Sequence, residues 1–385
     1  AVIPASIESA APNLVVDDIV VAEDKIFVGT RGDGGLLVYD KNTLRFLRQL
    51  PVETAFARLK NIYALIRGDK DHLLVGTSGP MYKLNIRNFS TSTVIPRTWD
   101  PHSDWVRELF RDSKGNIWAT SSGIYRQSAG TDSFAVITST KKLFNRIHMA
   151  MHVGEDKTGN IWVAGHGLCR FNTITNTFDR LIDSFPYIKM PDKQVTAVIT
   201  DQYNNIWVGC YNNGLVRYNL NDKSILHFTR DNGLPDNNFA SLCIVGNKLW
   251  VAAYSGLACL DMSSLSITSY GKEDGFPDMP IVQGTNFYYD MEQRRLYLGY
   301  SNAVVRFSPD SLLMKSPAPR LFIESLSAGN QPGSYLPATA FETSWRNNDI
   351  TVNIGSINFY NNSSQRFVSR LGKNGAEQWQ HHGDM

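Results

Sequence analysis

The chain has 385 residues, of which 42% are hydrophobic, 11% aromatic and 19% charged, with a formal net charge of +2. That length and apolar content suffice for a large core, and the near balance of charge leaves no electrostatic footprint for nucleic acid or an acidic membrane surface. No apolar run approaches the roughly 20 residues that span a bilayer, and the opening AVIPASIESA lacks a basic region followed by an apolar core, so the sequence reads as a soluble piece, mature or excised.

One phrase then recurs seven times in chain order: a short apolar strand, a turn containing Gly or Asn, and a second strand. It reads KIFVGTRGDGGLLVYD over 25–40, HLLVGTSGPMYKLN over 72–85, GNIWATSSGIYRQ over 115–127 and GNIWVAGHGLCRFN over 159–172. It continues as NNIWVGCYNNGLVRYN over 204–219, NKLWVAAYSGLACLD over 247–261 and RLYLGYSNAVVRF over 295–307. The key residues Phe27, Leu74, Trp118, Trp162, Trp207, Trp250 and Tyr297 are 47, 44, 44, 45, 43 and 47 residues apart. A period in the mid-forties built of short strands marks propeller blades. One blade cannot cover its two apolar faces, whereas a closed ring can.

The predicted fold class is therefore all-β: a seven-bladed β-propeller over residues 1–316, followed by a partial immunoglobulin-like β-sandwich over 317–385. The fifth repeat resolves into four strands, VTAVITD innermost, then IWVGC, GLVRYN and SILHFT, joined by turns whose Asn and Gly tolerate positive φ. The Trp of each repeat is expected to wedge between neighbouring blades, with small residues after it letting the sheets approach. Blade seven offers only three strands before SPDSLLMKSPAP, so the segment 3–8 is expected to supply the fourth and bring the ends of the ring together. After Pro317 and Pro319, the runs RLFIESLSA, DITVNIGSINF and QRFVSRL read as part of the sandwich. Cys169, Cys210, Cys243 and Cys259 fall in strands at a spacing that fits no zinc motif, and are expected to be free thiols.

The blade phrase D-x-x-G-N-I-W-V, the connecting phrases DNGLPDNNF and EDGFPDMP, and the closing Phe367, Arg370, Leu371 and Trp379 resemble two-component regulator propeller repeats with their Tyr-rich C-terminal domain. The combination is similar to the periplasmic sensor region of hybrid two-component systems of gut Bacteroidetes. The resemblance implies an ectodomain that detects oligosaccharides, forms a homodimer, and belongs to a membrane-anchored histidine kinase controlling glycan utilisation genes. Such proteins carry two propellers and signalling domains. This chain holds one propeller and none of those domains, so the resemblance implies a fragment covering the second propeller and the first part of the sandwich.

Loops on one face of a rigid ring are the usual recognition surface. Arg31, His102, Trp105, His148, His166, Tyr211, Asn212, Asn213, Tyr254 and Tyr300 are placed there. Aromatic faces beside Arg, Asn and His suit a sugar, which needs a stacking surface and fixed hydroxyl partners. His148, His152 and His166 lie together in the fourth repeat, but strand residues four apart are roughly 13 Å apart, too far for one ion, so neither a metal nor any cofactor is expected. The acidic residues of this face sit in repeating turn phrases, and no nucleophile elbow or HExxH occurs. The expected role is thus binding without catalysis. A propeller lyase or hydrolase, and a scaffold for protein partners, are the alternatives.

Overall fold

The structure is a computed structural model, and it describes residues 2–4, 14–32, 34–50, 61–94, 105–121, 123–139, 152–180, 194–313, 320–328, 334–335, 350–357, 367–373 and 376–382. Seven four-stranded antiparallel sheets follow one another as the blades of a propeller. In blades one to six the strands run in sequence order from the channel outward, beginning with Val15–Ala22, Ile62–Arg67, Glu108–Arg111, His152–Glu155, Val195–Thr200 and Phe239–Val245. Blade seven is assembled from both ends of the ring: Phe287–Asp290, Arg295–Tyr300 and Ala303–Phe307 are completed by Val2–Pro4, which pairs antiparallel with Ala303 to Val305. The pairing strand is thus shifted toward the N-terminus relative to the segment 3–8, and residues 5–8 lie outside the described residues.

The key residue of each repeat packs into the next blade. Phe27 joins Ile62, Leu65, Leu73 and Val75 of blade two; Trp118 joins Val153, Ile161 and Phe171 of blade four. Trp162 and Trp207 do the same against blades five and six, Trp250 meets Phe307 of blade seven at 5.3 Å, and Tyr297 closes the circle against Val16, Ile19 and Val28 of blade one. Each of these large rings is fully buried, so the seams between blades form the core.

A carboxylate sets the turn that delivers three of the indoles. In blade five, Asp201 Oδ1 accepts from the backbone N–H groups of Tyr203 and Asn205, and Oδ2 accepts from Asn205 Nδ2 and, at 2.8 Å, from Trp207 Nε1. Asp112 with Asn116 and Trp118, and Asp156 with Asn160 and Trp162, repeat the arrangement. Burial alone would push the Asp156 carboxyl up, but donors from Thr158, Trp162 and Asn160 outweigh it and hold the group below the usual carboxylate range.

All four cysteines are free thiols, and burial pushes those of Cys210, Cys243 and Cys259 up to about 12. They act as small apolar packing groups. After blade seven comes a single-turn helix, Pro309–Leu313, which the sequence reading did not anticipate. The chain divides into two compact units, and the second, mainly 312–385, is also β. In it Arg320–Ala328 pairs with both Ser334–Tyr335 and Ile350–Ile357, and Phe367–Lys373 pairs with Ala376–His382.

Candidate functional site at the channel mouth

The innermost strands surround a central channel, and the start of each strand points one residue into it. In blades one, two, five and six that residue is the extra member of a β-bulge: Asp17, Tyr63, Thr196 and Ala240 are skipped by the pairing register. A bulge re-aims a side chain, and here it turns one position per repeat toward the axis. Tyr63, Thr196 and Ala240, together with Arg107, Glu108 and His152 of blades three and four and Gln283, Gly284 and Asn286 leading into blade seven, line a chamber of about 90 Å³ at the mouth. Arg31, from the end of the second strand of blade one, completes it.

Two features dominate the mouth. The first is aromatic: the Trp105 and Tyr63 rings stack at 5.8 Å with an interplanar angle of 15°, and the Arg107 guanidinium lies 4.3 Å from the centre of the Tyr63 ring and 5.2 Å from that of Trp105. Trp105 keeps 39% of its surface exposed, so the ring is held in place and still available. The second is ionic. Arg31 Nε lies 2.7 Å from the buried Asp17 carboxylate, and Nη2 donates to the Gln283 carbonyl at 2.6 Å. Gln283 Nε2 and His152 Nδ1 are buried without a hydrogen-bond partner among the described residues.

Below the mouth, Asp18 accepts from the backbone N–H groups of Ile19 and Leu65, and Glu108 accepts from Asn286 Nδ2 at 3.1 Å. Burial pushes Asp17 and Asp18 up to about 7, overriding Arg31 in one case and the two amide donors in the other. Burial, with the Asp18 charge adding to it, pushes Glu108 well above the carboxylate range, and burial pulls His152 down to about 4. A carboxyl raised in the folded state contributes stability that is full below about pH 4 and lost as the pH climbs through about 7. His152, being lowered, acts in the opposite sense, losing its contribution only as the pH falls below its ordinary range toward 4. The protein is therefore expected to melt at a lower temperature at pH 8 than at pH 6. Glu108→Gln should flatten that difference, which thermal unfolding followed by circular dichroism at the two pH values would measure.

The residues singled out in the sequence meet different fates in the structure. Arg31 lines the chamber, and Trp105 stacks on Tyr63, another member of its lining. Tyr254 is half-buried, with its phenol pushed up to about 12 by burial and then by the neighbouring Tyr211 and Asp236; Arg31 acts on it in the other direction, so the blade-six turn lies within reach of the same charge. Asn212 is committed to structure, exchanging hydrogen bonds with Asn238 of blade six, while the Asn213 carbonyl is bonded by His227 Nε2. His166 occupies the corresponding turn of blade four and is not among the described residues lining the chamber. His102 and His148 lie outside the described residues.

Tyr300 is a correction. It is 1% exposed, and burial raises its phenol above the ordinary tyrosine range. The position three after each key residue is a buried strand end throughout the ring, occupied by Thr30, Thr77, Ser121, Cys210 and Ala253 elsewhere. Arg31, Tyr211 and Tyr254 stand four after, on the opposite face of the pleat, and in blade seven that place belongs to Ser301.

The family model described as "Domain of unknown function (DUF5074)" matches residues 9–253, from before blade one into blade six. The chain belongs to the DUF5074 family. Among curated proteins this DUF5074 chain is 25% identical over 264 residues to histidine kinase P4 of Formosa agariphila, covering 63% of the chain and 19% of that protein. Its fold is similar to the extracellular domain of BT3049 from B. thetaiotaomicron, assigned to a hybrid two component system, with a TM-score of 0.73 at 16% identity over 98% of this chain and 51% of that one. It is also similar to the extracellular domain of BT4673 from the same organism, assigned likewise, with a TM-score of 0.61 at 15% identity over 100% of this chain and 53% of that one. The DUF5074 chain thus spans about half the length of those extracellular domains and about a fifth of the kinase.

Proposed function

We propose that this DUF5074 propeller is a ligand-sensing module of a periplasmic sensor ectodomain and that it recognises oligosaccharides at the channel mouth. The observation that carries this reading is the held but exposed Trp105 ring, stacked on Tyr63 and on Arg107, two residues that line the polar chamber with Arg31, Thr196 and Asn286. An aromatic platform beside fixed donors and acceptors serves the C–H face and the hydroxyls of a sugar together. The extracellular two-component domains that share the fold, and the histidine kinase relative, support the placement in the extracellular part of a signalling protein.

Binding without bond cleavage fits the carboxyls better than hydrolysis does. Asp17 is held by Arg31, Asp18 by two backbone amides, and Glu108 by Asn286 inside the channel wall. A glycosidase instead needs an acid and a base facing an open cleft roughly 5 to 10 Å apart. A ligand would signal by favouring one arrangement of the parent protein, such as one form of a homodimer, over another.

Calorimetric titration against oligosaccharides cut from plant and host polysaccharides tests the reading. Saturable binding to one glycan class is expected, with Trp105→Ala weakening it at least tenfold while the circular dichroism spectrum is unchanged. Binding indifferent to Trp105→Ala would remove the site from the mouth.

A further inference from the structure

We infer that the seam between blades two and three holds a second binding site, which takes an aromatic ring bearing an N–H or O–H donor, such as an indole or a phenol from outside the chain. This site is separate from the channel mouth and does not depend on what binds there.

Three positions that agree around the rest of the ring change together at this seam. The first is the wedge: the other six blades set an aromatic key residue against the next blade, and blade two sets Leu74 there. The second is the turn ahead of it. Gly68 stands six residues before Leu74, as Asp112, Asp156 and Asp201 stand before Trp118, Trp162 and Trp207, and its N–H bonds the carbonyl four residues on as theirs do. The turn keeps its backbone and loses the carboxylate that would receive an indole N–H. The third is the receiving position in the next blade, the residue paired across from the one preceding the key residue. At the other seams it is apolar, Phe171, Tyr218, Leu260, Phe307, Tyr39 and Leu84, and packs with the ring of the preceding blade. At this seam it is Gln127, opposite Ile117. Leucine alone would leave a gap that neighbours could partly close, whereas the ring, its acceptor and its apolar receiver are all replaced.

Gly68, Leu74 and Gln127 line one cavity of about 640 Å³. Leu74 and Ile117, buried in the core of the seam, give it an apolar floor. Its size is that of a small-ligand pocket, typically about 300–1,000 Å³. None of the described residues lining it is aromatic, so a sugar finds no stacking platform. A flat apolar ring on Leu74 and Ile117 would instead supply the wedge that this seam lacks.

The polar wall adds the requirement for a donor. Lys83 Nζ lies 3.2 Å from Asp69 and 3.5 Å from Asp132, and Arg111 donates to the carbonyls of Arg67, Gly68 and Gly115, so these cations are engaged within the protein. Gln127 differs. Its Nε2 donates to the Thr131 carbonyl, which makes the other terminal atom the acceptor, and that Oε1 is buried without a partner among the described residues. A buried acceptor left unpaired costs free energy that an N–H or O–H on the ligand would recover.

The test is calorimetric titration of the 385-residue chain with indole, with 1-methylindole and with N-acetyl-tryptophanamide. Indole and the capped amide are expected to saturate one site; both results support the assignment, and the tighter of the two tells a free aromatic compound from a tryptophan side chain of another polypeptide. 1-Methylindole, which has no N–H, should bind about tenfold more weakly than indole. Leu74→Trp, which supplies the missing ring, should abolish saturable binding. Gln127→Leu should bring indole and 1-methylindole level, and serves as the second variant should Leu74→Trp unfold. No saturable binding of indole or the amide, or binding that both variants leave unchanged, would overturn the site. Loss of binding in Trp105→Ala would move the ring to the channel mouth and overturn it equally.

Discussion

Replacing Asp201 with Ala should destabilise the propeller by about 3 kcal/mol, seen as a fall of about 5 °C in the melting temperature. The carboxylate receives four hydrogen bonds within its own turn, and two of its donors, the Trp207 indole N–H and the Asn205 amide, are buried. Alanine leaves both without an acceptor in a place water does not reach, and each such orphan costs about 1–3 kcal/mol. Asparagine would not restore the site, because one of its two terminal atoms donates where both oxygens now accept. Blade six supplies an internal control. Its hairpin between Phe239–Val245 and Lys248–Ala253 is tighter, carries no equivalent aspartate, and leaves Trp250 Nε1 buried without a partner among the described residues. Trp207→Phe and Trp250→Phe remove similar volumes from similar seams, but only the first breaks a bond to a carboxylate. Trp207→Phe is therefore expected to cost about 1–3 kcal/mol more than Trp250→Phe in urea unfolding, and equal losses would show that the aspartate orders the turn without stabilising the indole.

The same repeats show what a sequence reveals about such a ring. Periodicity located the seven key residues, because burying a large ring between blades demands the same residue class at the same place each time. The channel wall follows an equally regular series, Asp17, Tyr63, Arg107, His152, Thr196, Ala240 and Asn286, at intervals of 44 to 46 residues. It went unread because its members share no chemistry: the axis imposes a direction on a side chain and no common size or polarity. A bulge also breaks the alternation that would place these residues by pattern. Trp105 and Arg31 were found because they lie beside recognisable turns. Tyr63 and Arg107, which hold Trp105 in place, look like ordinary strand residues until the ring brings blades two and three together. Tyr300 was misplaced by a single residue, and in a strand one residue separates the core from the loop.

Gly299→Ala should cost about 3 kcal/mol by forcing apart the seam where the ring closes. A Cβ at this position would lie 2.6 Å from Val16 Cγ1 and 2.7 Å from the Val16 carbonyl oxygen, so a strand of the neighbouring blade would have to move, not merely a side chain. That neighbour is held firmly. Asn286 N donates to the Asp17 carbonyl at 2.7 Å, Thr285 Oγ1 to the Val16 carbonyl at 2.8 Å, and Lys41 Nζ reaches Asp290 at 3.1 Å and Glu292 at 2.9 Å across the same seam. Leu14 and Asn302 are joined by a further reciprocal pair of bonds. Shifting blade one to admit a methyl group would stretch several of these contacts together. The equivalent position is Ala164 in blade four and Ala252 in blade six, so a methyl group is not forbidden by the fold itself; the spacing of each seam decides. Gly209 is the comparison. Its nearest neighbours to a Cβ, Phe239 Cβ and Thr196 Oγ1, are both at 3.3 Å, and Gly209→Ala is expected to cost less than about 1 kcal/mol. Because the inner strand of blade one also carries Asp17, opening its seam should disturb the Arg31 anchor at the mouth, whereas Gly209→Ala should leave it intact. Urea unfolding of the two variants measures the first difference, and glycan titration of the same samples the second. Equal stability of the two would mean that closure is no tighter than any other seam.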